Sequence, residues 1–490
     1  MEKEILGSRE GYKLCRNANE SGMLGVSIEN AMNEHNKLTA KENRAFYRMA
    51  IALVIPMALQ NLINVGVTTA DVVMLGKVGE TALSGASLAG QVQFIMNLIF
   101  FGLTSGASVL TAQYWGKQDV RTIERVFGIS ICISMEIGLV FLMAAQIVPR
   151  QLMYVFSSEE PVIREGISYL RIVSWSYLPV AFTMIYLNLM RSVERVVVAT
   201  WTYFVSLIVN IIGNGILIFG MFGVPAMGVR GAAYATLFAR MVELLIVVLY
   251  INWRGNPISL HVKDFVRFDR LLLKDFVVFS SPVVANELMW GLGMSANAAI
   301  IGHLGSAAVA ANSVAQVSRQ LIMVIGFGLS AATSIMIGKV IGEQKLRLAE
   351  AYARKFIWLS VGITLAAATV LFFCRGWIAG SMTISEEAKD YLRFMLFVVC
   401  YYAIFQSYNT TMIVGIFRAG GDTRIGFFVD VIGMWCFSIF LGAVTAFWLH
   451  WGVKAVFVVL LSDEIVKIPI TTWRYRKKLW LRNITRELES

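Results

Sequence analysis

Residues 56–118 and 282–344 are two copies of one stretch of chain, which align without a gap at an offset of 226 positions. The Phe-Gly-Leu run at 101–103, for example, recurs at 327–329. The chain around these copies is strongly apolar, since 57% of its 490 residues are hydrophobic and only 15% are charged. An internal repeat in so apolar a chain is typical of transporters built from two related halves.

Hydropathy along the chain predicts twelve membrane-spanning helices. A spanning helix needs about 20 apolar residues, and long apolar runs favour helices over the shorter alternating segments of a β-barrel. The predicted spans are 46–75, 82–114, 122–148, 163–187, 196–222, 228–253, 276–301, 308–338, 353–375, 390–415, 424–447 and 451–473. They occupy most of the chain and leave no room for a large soluble domain. We therefore expect an all-α polytopic membrane protein.

The repeat also predicts how these helices are grouped. Its offset contains six spans, an even number, so both halves enter the membrane in the same orientation and form two parallel-repeat six-helix bundles. The expected parts are a cytosolic N-terminal tail at 1–44, an N-terminal bundle at 45–253, a cytosolic linker at 254–275, a C-terminal bundle at 276–473 and a basic cytosolic tail at 474–490.

The net charge of +11 is explained by membrane topology. Lys and Arg concentrate in alternate loops and in the C-terminal tail, as they do on the cytoplasmic side of membrane proteins. This pattern predicts a multi-pass protein of the cell membrane with both termini in the cytoplasm, and no nucleic-acid partner is needed to explain the charge. The start of the chain lacks the features of a cleaved signal peptide. The five cysteines include no CxxC pair, so they predict neither a disulfide framework nor a metal site.

Three segments of the chain resemble a known family. The segment 55–76, with its Ile-Pro-Met start and Ala-Asp-Val-Val-Met-Leu-Gly end, resembles the first-helix signature of the multidrug and toxic compound extrusion (MATE) transporters. The exits of the second and eighth spans and the Phe-Arg-Ala-Gly-Gly-Asp-Thr run at 417–423 are similar to the same family. The resemblance extends from about residue 45 to 475. It implies a bacterial-type exporter whose two bundles form a V-shaped central cavity and exchange inward H⁺ or Na⁺ for outward drug.

Asp71 is the first candidate for ion coupling, and its counterpart in the repeat is the uncharged Asn297. An ionised carboxylate inside a spanning helix costs about 2.5–3.5 kcal/mol, so an intramembrane acid indicates a function. The alternative is that Asp71 lies near the helix end and is wetted at the interface. Asn210 and Asn214 lie one turn apart on span 5, and Thr236 in span 6 adds a hydroxyl. One carboxylate with neutral oxygens suits a possible Na⁺, or a protonatable acid in a polar niche.

In the MATE pattern, the positions that match Asp71, Asn210, Asn214 and Thr236 form the cation site of the N-terminal bundle. Some members carry an acid at the position of Asn214, so the site of this chain is less charged, which weakens the case for Na⁺ over H⁺. No cofactor is expected beyond this coupling ion.

Glu287 in span 7 is the second ionisable candidate, and its counterpart is Asn61. In the sodium-coupled, eukaryotic-like branch of the family, two acids match Trp290 and Asn409, so this chain lacks that pair. We expect Glu287 to line the cavity, as a second protonation site or as a counter-charge for cationic drugs. The alternative is a structural polar cluster with neighbouring amides. The candidate residues of this second site are Glu287, Gln60, Asn61, Asn286, Trp290 and Asn409.

Some of the other charged residues in the predicted spans have a structural interpretation, and the rest are left without an assigned role. Arg240 and Glu243 are spaced as an ion pair near a helix end, as are Asp463 and Lys467. The residues whose roles are left open are Glu136, Arg319 and Asp430.

Three functions are weighed. The first is secondary active multidrug efflux, in which a monomer exports small organic, often cationic compounds in exchange for H⁺ or Na⁺ by alternating access. The second is a flippase of lipid-linked oligosaccharide from the same superfamily, which predicts extra spans or a basic cavity, whereas only Arg319 is seen. The third is a membrane-embedded enzyme, for which the HExxH, nucleophile-elbow and phosphate-binding motifs are missing from the sequence. We therefore expect the antiporter and no enzyme; the natural substrate cannot be read from an apolar cavity.

Overall fold

The computed structural model describes residues 38–253, 255–258, 269–382 and 384–486. Within these ranges the regular secondary structure is helical, without β-strands. Most of the predicted N-terminal tail, residues 1–37, lies outside the described residues, as does the segment 259–268 of the predicted linker.

Twelve helical spans follow one another in the described ranges, at the positions that hydropathy predicted. The N-terminal half contains α1 (Ala40–Gly76), α2 (Glu80–Lys117), α3 (Val120–Ile147), α4 (Glu160–Ser192), α5 (Val196–Phe219) and α6 (Val229–Ile251). The C-terminal half contains α7 (Arg270–Gly302), α8 (Ser306–Gly342), α9 (Leu346–Ser381), α10 (Glu386–Thr410, continued by the π-helical turn Thr411–Phe417), α11 (Thr423–Trp448) and α12 (Val453–Leu460 and Asp463–Arg476). The predicted fold class is confirmed.

Nine helices of the described chain are long and apolar enough to cross a membrane. The other three spans are α7, α10 and α12, which contain buried polar and charged residues. Large apolar side chains cover the outward surface; on α9, for example, Trp358, Phe373 and Trp377 are 72%, 78% and 77% exposed. So extensive an exposed apolar surface is expected where lipid, not water, surrounds the helices.

Capping extends two helices beyond their predicted starts. Residues 40–44 belong to α1 and not to the predicted tail, because Thr39 and Glu42 form a capping box at the helix start. Residues 270–275 belong to α7 and not to the predicted linker, because the Asp269 carboxylate accepts hydrogen bonds from two backbone amides of the first turn. Both helices therefore begin one or two turns earlier than hydropathy alone indicated.

The repeat is visible as a symmetric crossing of α2 and α8. A Cβ added to Gly116 would lie 2.0 Å from the backbone oxygen of Lys339, and a Cβ added to Gly342 would lie 1.9 Å from that of Gln113. Gly116 and Gly342 are 226 positions apart, and so are Gln113 and Lys339. Each contact is therefore the repeat counterpart of the other, and a local two-fold axis between the bundles passes through this crossing.

The bundles pack together near the end of the molecule at which α1 begins and α12 ends, here called the terminal face. Glu42 at the start of α1 pairs with Arg347 of α9 at 3.2 Å. Lys478, just after α12, pairs with Glu350 of α9 at 2.7 Å. The start of α9 follows directly after the end of α8, so the α2–α8 crossing lies at this face too.

The segment that follows α12 lies across both bundles at the terminal face. Trp480 is buried, and its backbone oxygen lies against Gly420 of the C-terminal half. The Ile484 backbone amide donates to Gln113 Oε1 of α2 at 2.9 Å. The predicted basic tail therefore packs against the protein as far as residue 486, instead of leaving it after α12.

Candidate ion-coupling site

Asp71 of α1 meets polar side chains of α5 and α6 inside the N-terminal bundle. Asn214 Nδ2 donates to Asp71 Oδ1 at 2.5 Å and to Asn210 Oδ1 at 3.2 Å. Asn210 Nδ2 in turn lies 3.4 Å from Thr236 Oγ1, to which it donates. Asn210 and Asn214 are buried, whereas Asp71 is partly exposed. The four residues chosen from the sequence thus form one chain of hydrogen bonds from α1 to α6.

Two residues that the sequence analysis did not assign to this site complete its surroundings. Tyr169 of α4 lies beside Thr236, and Arg240 of α6 lies within electrostatic range of Asp71. The predicted ion pair of Arg240 is present, because its Nη1 lies 2.6 Å from Glu243 Oε1. Arg240 follows Thr236 by one helical turn, a spacing that could have signalled its proximity. Because Glu243 neutralises Arg240, Asp71 keeps amide partners and has no ion pair of its own among the described residues.

The hydrogen bonds around Asp71 indicate how a coupling ion could bind at this site. Hard metal cations take oxygen ligands, but Asn214 presents its amide nitrogen to both Asp71 and Asn210. Its own Oδ1 is buried and has no hydrogen-bond partner in the described structure. Turning this amide would let Oδ1 accept a hydrogen bond from a protonated Asp71, and it would also bring a third oxygen beside Asp71 Oδ1 and Asn210 Oδ1. As described, an N–H group points at both of these oxygens, so this conformation of the site suits hydrogen bonding and not a metal ion.

Glu287 of α7 is held in an ion pair. Its Oε1 lies 2.9 Å from Arg418 Nη2 at the end of α10, and Arg418 Nη1 donates to Ser105 Oγ of α2 at 2.8 Å. The Arg418 and Glu287 side chains are 4% and 13% exposed. The sequence analysis expected Glu287 to line the cavity as a second protonation site or counter-charge. In the structure the Arg418 guanidinium neutralises the carboxylate and links the C-terminal bundle to α2.

Two residues predicted near Glu287 instead hold α1 in place. Gln60 Nε2 donates to Thr200 Oγ1 of α5 at 2.7 Å. Asn61 Nδ2 donates to the backbone oxygen of Val324 in α8 at 3.4 Å. These neighbouring side chains leave α1 in different directions, one towards its own bundle and one towards the other, so the expected grouping with Glu287 does not form.

The remaining members of the predicted second site lie beside a different set of acids. Asn286 Nδ2 donates to Asp430 Oδ2 of α11 at 3.0 Å. Asn409 Nδ2 donates to Glu464 Oε2 of α12 at 2.8 Å. Trp290 lines a small cavity together with Asn286 and Asp430. The sequence analysis left the role of Asp430 open and did not name Glu464, whose amide partner Asn409 comes from another helix.

Arg319 and Glu136, two charged residues whose roles the sequence analysis left open, lie away from Asp71. The Arg319 guanidinium lies over the ring of Tyr402, 5.7 Å from its centroid, and its Nη2 is 3.8 Å from Met294 Sδ. Glu136 is exposed on α3. Neither residue takes part in the hydrogen-bond chain around Asp71.

Known proteins resemble this chain in both halves of the repeat. The MatE family model matches residues 56–216 and 282–444, once in each copy of the repeat. The chain belongs to the MATE family. The probable multidrug resistance protein NorM of Bradyrhizobium diazoefficiens is 26% identical over 413 residues, which cover 83% of this chain and 87% of that protein. The uncharacterized transporter YisQ of Bacillus subtilis is 23% identical over 420 residues, which cover 84% of this chain and 90% of that protein.

Solved MATE structures share the fold. A MATE crystal structure in the bent conformation has a TM-score of 0.82 at 19% identity, covering 91% of this chain and 99% of that one. A multidrug resistance MATE transporter of the MOP superfamily in an outward-facing conformation has a TM-score of 0.80 at 19% identity, covering 88% and 96%. The MATE protein described here is therefore a multi-pass membrane transporter and not an enzyme. Its family implies small organic substrates of the multidrug type.

Proposed function

We propose that this MATE protein exports small organic, often cationic compounds in exchange for H⁺ by alternating access, with Asp71 as the coupling acid. The observation that supports this proposal is the chain of hydrogen bonds from Asp71 through Asn214 and Asn210 to Thr236. It contains one carboxylate, which has neutral partners and a buried unpaired acceptor beside it. Na⁺ is the alternative coupling ion.

Protonation of Asp71 changes the contact between α1 and α5. The neutral acid no longer attracts the Asn214 amide nitrogen as a carboxylate does, and it donates where it previously accepted. The resulting repacking of α1 against α5 is the step that we assign to drug release. A proton that moves down a potential of 100 mV contributes about 2.3 kcal/mol, which supports a gradient of about 50-fold for an uncharged drug. One-for-one exchange with a monovalent cationic drug moves no net charge, so there the pH gradient supplies the free energy.

The proposed orientation places the terminal face in the cytoplasm. The basic loops and the basic residues that follow α12 support this orientation through the positive-inside rule. Because the bundles pack together at that face, the described conformation would open towards the outside. Transport by a monomer is consistent with a repeat that supplies both bundles within one chain.

No observation favours the flippase alternative over drug export. That alternative relied on Arg319, which lies over Tyr402 inside the C-terminal bundle. A guanidinium engaged in this way does not create the basic cavity that an anionic lipid carrier would need.

The test is transport in proteoliposomes, with a pH gradient and a sodium gradient imposed separately. We expect a pH gradient alone to drive uptake of a cationic dye by the wild type, and Asp71→Asn to abolish it. Glu136→Gln is the matched control, because it removes an exposed carboxylate from a spanning helix. Full transport by Asp71→Asn would refute the coupling role, and uptake driven by the sodium gradient alone would replace H⁺ by Na⁺.

A further inference from the structure

A second group of ionisable residues lies inside the C-terminal bundle, around the ammonium of Lys467 on α12. Lys467 Nζ lies 3.1 Å from Asp430 Oδ1, 2.9 Å from Asp463 Oδ2 and 3.2 Å from Glu464 Oε1. The Lys467, Asp463 and Glu464 side chains are 5%, 7% and 9% exposed, and Asp430 is 25% exposed. A Cβ on Gly433 would lie 2.9 Å from Lys467 Cε, so the missing side chain of α11 makes room for the lysine stem.

The charges of this group, here called the Lys467 cluster, do not balance. Three carboxylates face one ammonium, which leaves two negative charges uncompensated if every acid is ionised. Burial of unpaired charge costs several kcal/mol per ion, and adjacent carboxylates repel each other. Taking up a proton relieves both penalties. A fully ionised cluster is therefore the least favourable state of this arrangement.

The N-terminal bundle shows what a balanced pair looks like at the related position. Gly228 and Gly452 open the sixth and twelfth spans 224 positions apart, and the same offset relates Arg240 to Glu464. The N-terminal pair is Arg240 followed three residues later by Glu243, one cation for one anion. In α12 the order of charges is reversed, and two further acids contact the lysine, Asp463 of α12 and Asp430 of α11. The described N-terminal bundle also has one acid without an ion pair, Asp71, but amides hold it apart from the Arg240–Glu243 pair, whereas in the C-terminal bundle the extra acids contact the cation itself.

The groups that face the cluster from other helices are mostly neutral. Asn409 of α10 donates to Glu464, and Asn286 of α7 donates to Asp430. Tyr402 of α10 lies within electrostatic range of the α12 charges. Of the nearby charged residues, Glu287 is paired with Arg418, and the Arg319 guanidinium lies over Tyr402 without contacting an acid of the cluster. No further cation among the described residues balances the cluster.

A second observation, independent of the charge count, marks a place for the proton. Asn286 is 6% exposed, and its Oδ1 has no hydrogen-bond partner in the described structure. The same side chain lines a small cavity with Asp430 and Lys467. If the amide turns, this free oxygen accepts a hydrogen bond from a protonated Asp430. Asp430 is also the most exposed acid of the cluster, so we assign the entry of the proton to it.

The arrangement does not suit a metal ion. The three carboxylates converge on Lys467 Nζ, which already occupies the position that a metal would take. No three acidic, His or Cys side chains of the described chain are arranged to hold a metal ion. A proton needs no such space.

We propose that the Lys467 cluster is a second proton-binding site, in which Asp430, Asp463 and Glu464 together hold one proton while the site is buried as described here. Hydronium from the aqueous phase gives the proton to a carboxylate oxygen and becomes water, and the carboxylic acid returns the proton to water when the site becomes hydrated. The site's part in coupling rests on the proposed antiport, but its proton binding does not.

Infrared difference spectroscopy tests the proposal on purified full-length protein in detergent. Spectra recorded between acid and alkaline pH report the C=O stretch of protonated carboxylic acids. All variants carry Asp71→Asn, which removes the signal of the N-terminal site. We expect a buried-acid band in this background and its loss when Asp430→Asn is added. Asp422→Asn is the matched control, because that buried acid is balanced by Arg474 at 2.5 Å and 2.9 Å.

Equal band intensity in the Asp430→Asn and Asp422→Asn proteins would overturn the proposal. Loss of the band on addition of sodium chloride at constant pH would overturn it in favour of a metal cation. If Asp430→Asn does not fold, Asp463→Asn serves in its place with the same expected loss. Transport by Asp71→Asn would refute the role of Asp71 and leave this measurement unaffected, so the two proposals fail separately.

Discussion

The α2–α8 crossing allows a quantitative prediction about how the two bundles are held together. In Gly342→Ala, the new Cβ would lie 1.9 Å from the backbone oxygen of Gln113. A carbon–oxygen contact needs about 3.3 Å, so the helices must separate by roughly 1.4 Å. Overpacking of this kind costs about 1–3 kcal/mol, and the upper end applies here because the obstacle is backbone and cannot turn aside.

Heat unfolding in detergent measures this loss of stability. A glycine-to-alanine substitution that should raise stability serves as the control. Gly362 lies on the exposed side of α9, and a Cβ there meets no atom within 4 Å. Gly362→Ala should therefore raise stability by up to about 1 kcal/mol through helix propensity, while Gly342→Ala lowers it. Similar unfolding midpoints for the two variants would refute the close crossing.

The repeat supplies a second test of the same geometry. Gly116→Ala strains the symmetric contact with Lys339, at 2.0 Å. Once the first alanine has separated α2 from α8, the second meets less resistance. The double variant Gly116→Ala/Gly342→Ala should therefore lose less stability than the sum of the single losses. Strictly additive losses would mean that the two contacts do not share one crossing.

Two further predictions concern the acids. Glu287→Gln leaves the Arg418 guanidinium buried without its anion, so we expect a loss of about 3–5 kcal/mol in the free energy of unfolding. An unchanged unfolding midpoint would show that this pair does not stabilise the contact of α7 with α10. The double variant Asp71→Asn/Asn214→Asp moves the acid across the same hydrogen bond, so proton-driven dye uptake should partly return relative to Asp71→Asn. Uptake as low as in the single variant would show that the acid must lie on α1.

The sequence was sufficient to predict the fold and the meeting of the four polar residues around Asp71, for identifiable reasons. Apolar runs of spanning length define helices without knowledge of their packing, and the repeat offset groups them into bundles. Asn210 and Asn214 could be placed on one face because they lie one turn apart in a regular helix. Their meeting with Asp71 was implied by the family resemblance, and the structure brings these residues together.

The C-terminal site could not be predicted in the same way. The link between Arg418 and Glu287 depends on the π-helical turn Thr411–Phe417, which changes the direction in which α10 presents its last residues. The Lys467 pairing with Asp463 follows from spacing along one helix, but Asp430 comes from α11. Asp430 lies in the regular helical stretch that precedes the π-helical segment Ile432–Ile439, but spacing along α11 does not show that this face is turned towards α12.

The two halves differ in which helix carries the acid and which carries its amide partner. In the N-terminal bundle the acid is on α1 and its amide partner on α5, 143 positions later. In the C-terminal bundle the amide, Asn286, is on α7 and the acid, Asp430, is on α11, 144 positions later. The same pair of helices in each half thus carries an acid–amide contact with the roles exchanged.

The two acid–amide contacts also lie at different distances from the terminal face. The repeat counterpart of Asp71 is Asn297, eleven positions beyond Asn286 on α7. At a rise of about 1.5 Å per residue, the C-terminal contact lies about 16 Å closer to the terminal face than the N-terminal one. A conformational change that opens one face and closes the other would therefore hydrate the two acids at different stages. If both proposed sites bind protons, symmetric bundles with acids at one depth would expose the two protons together, whereas this arrangement would separate their release along the transport cycle.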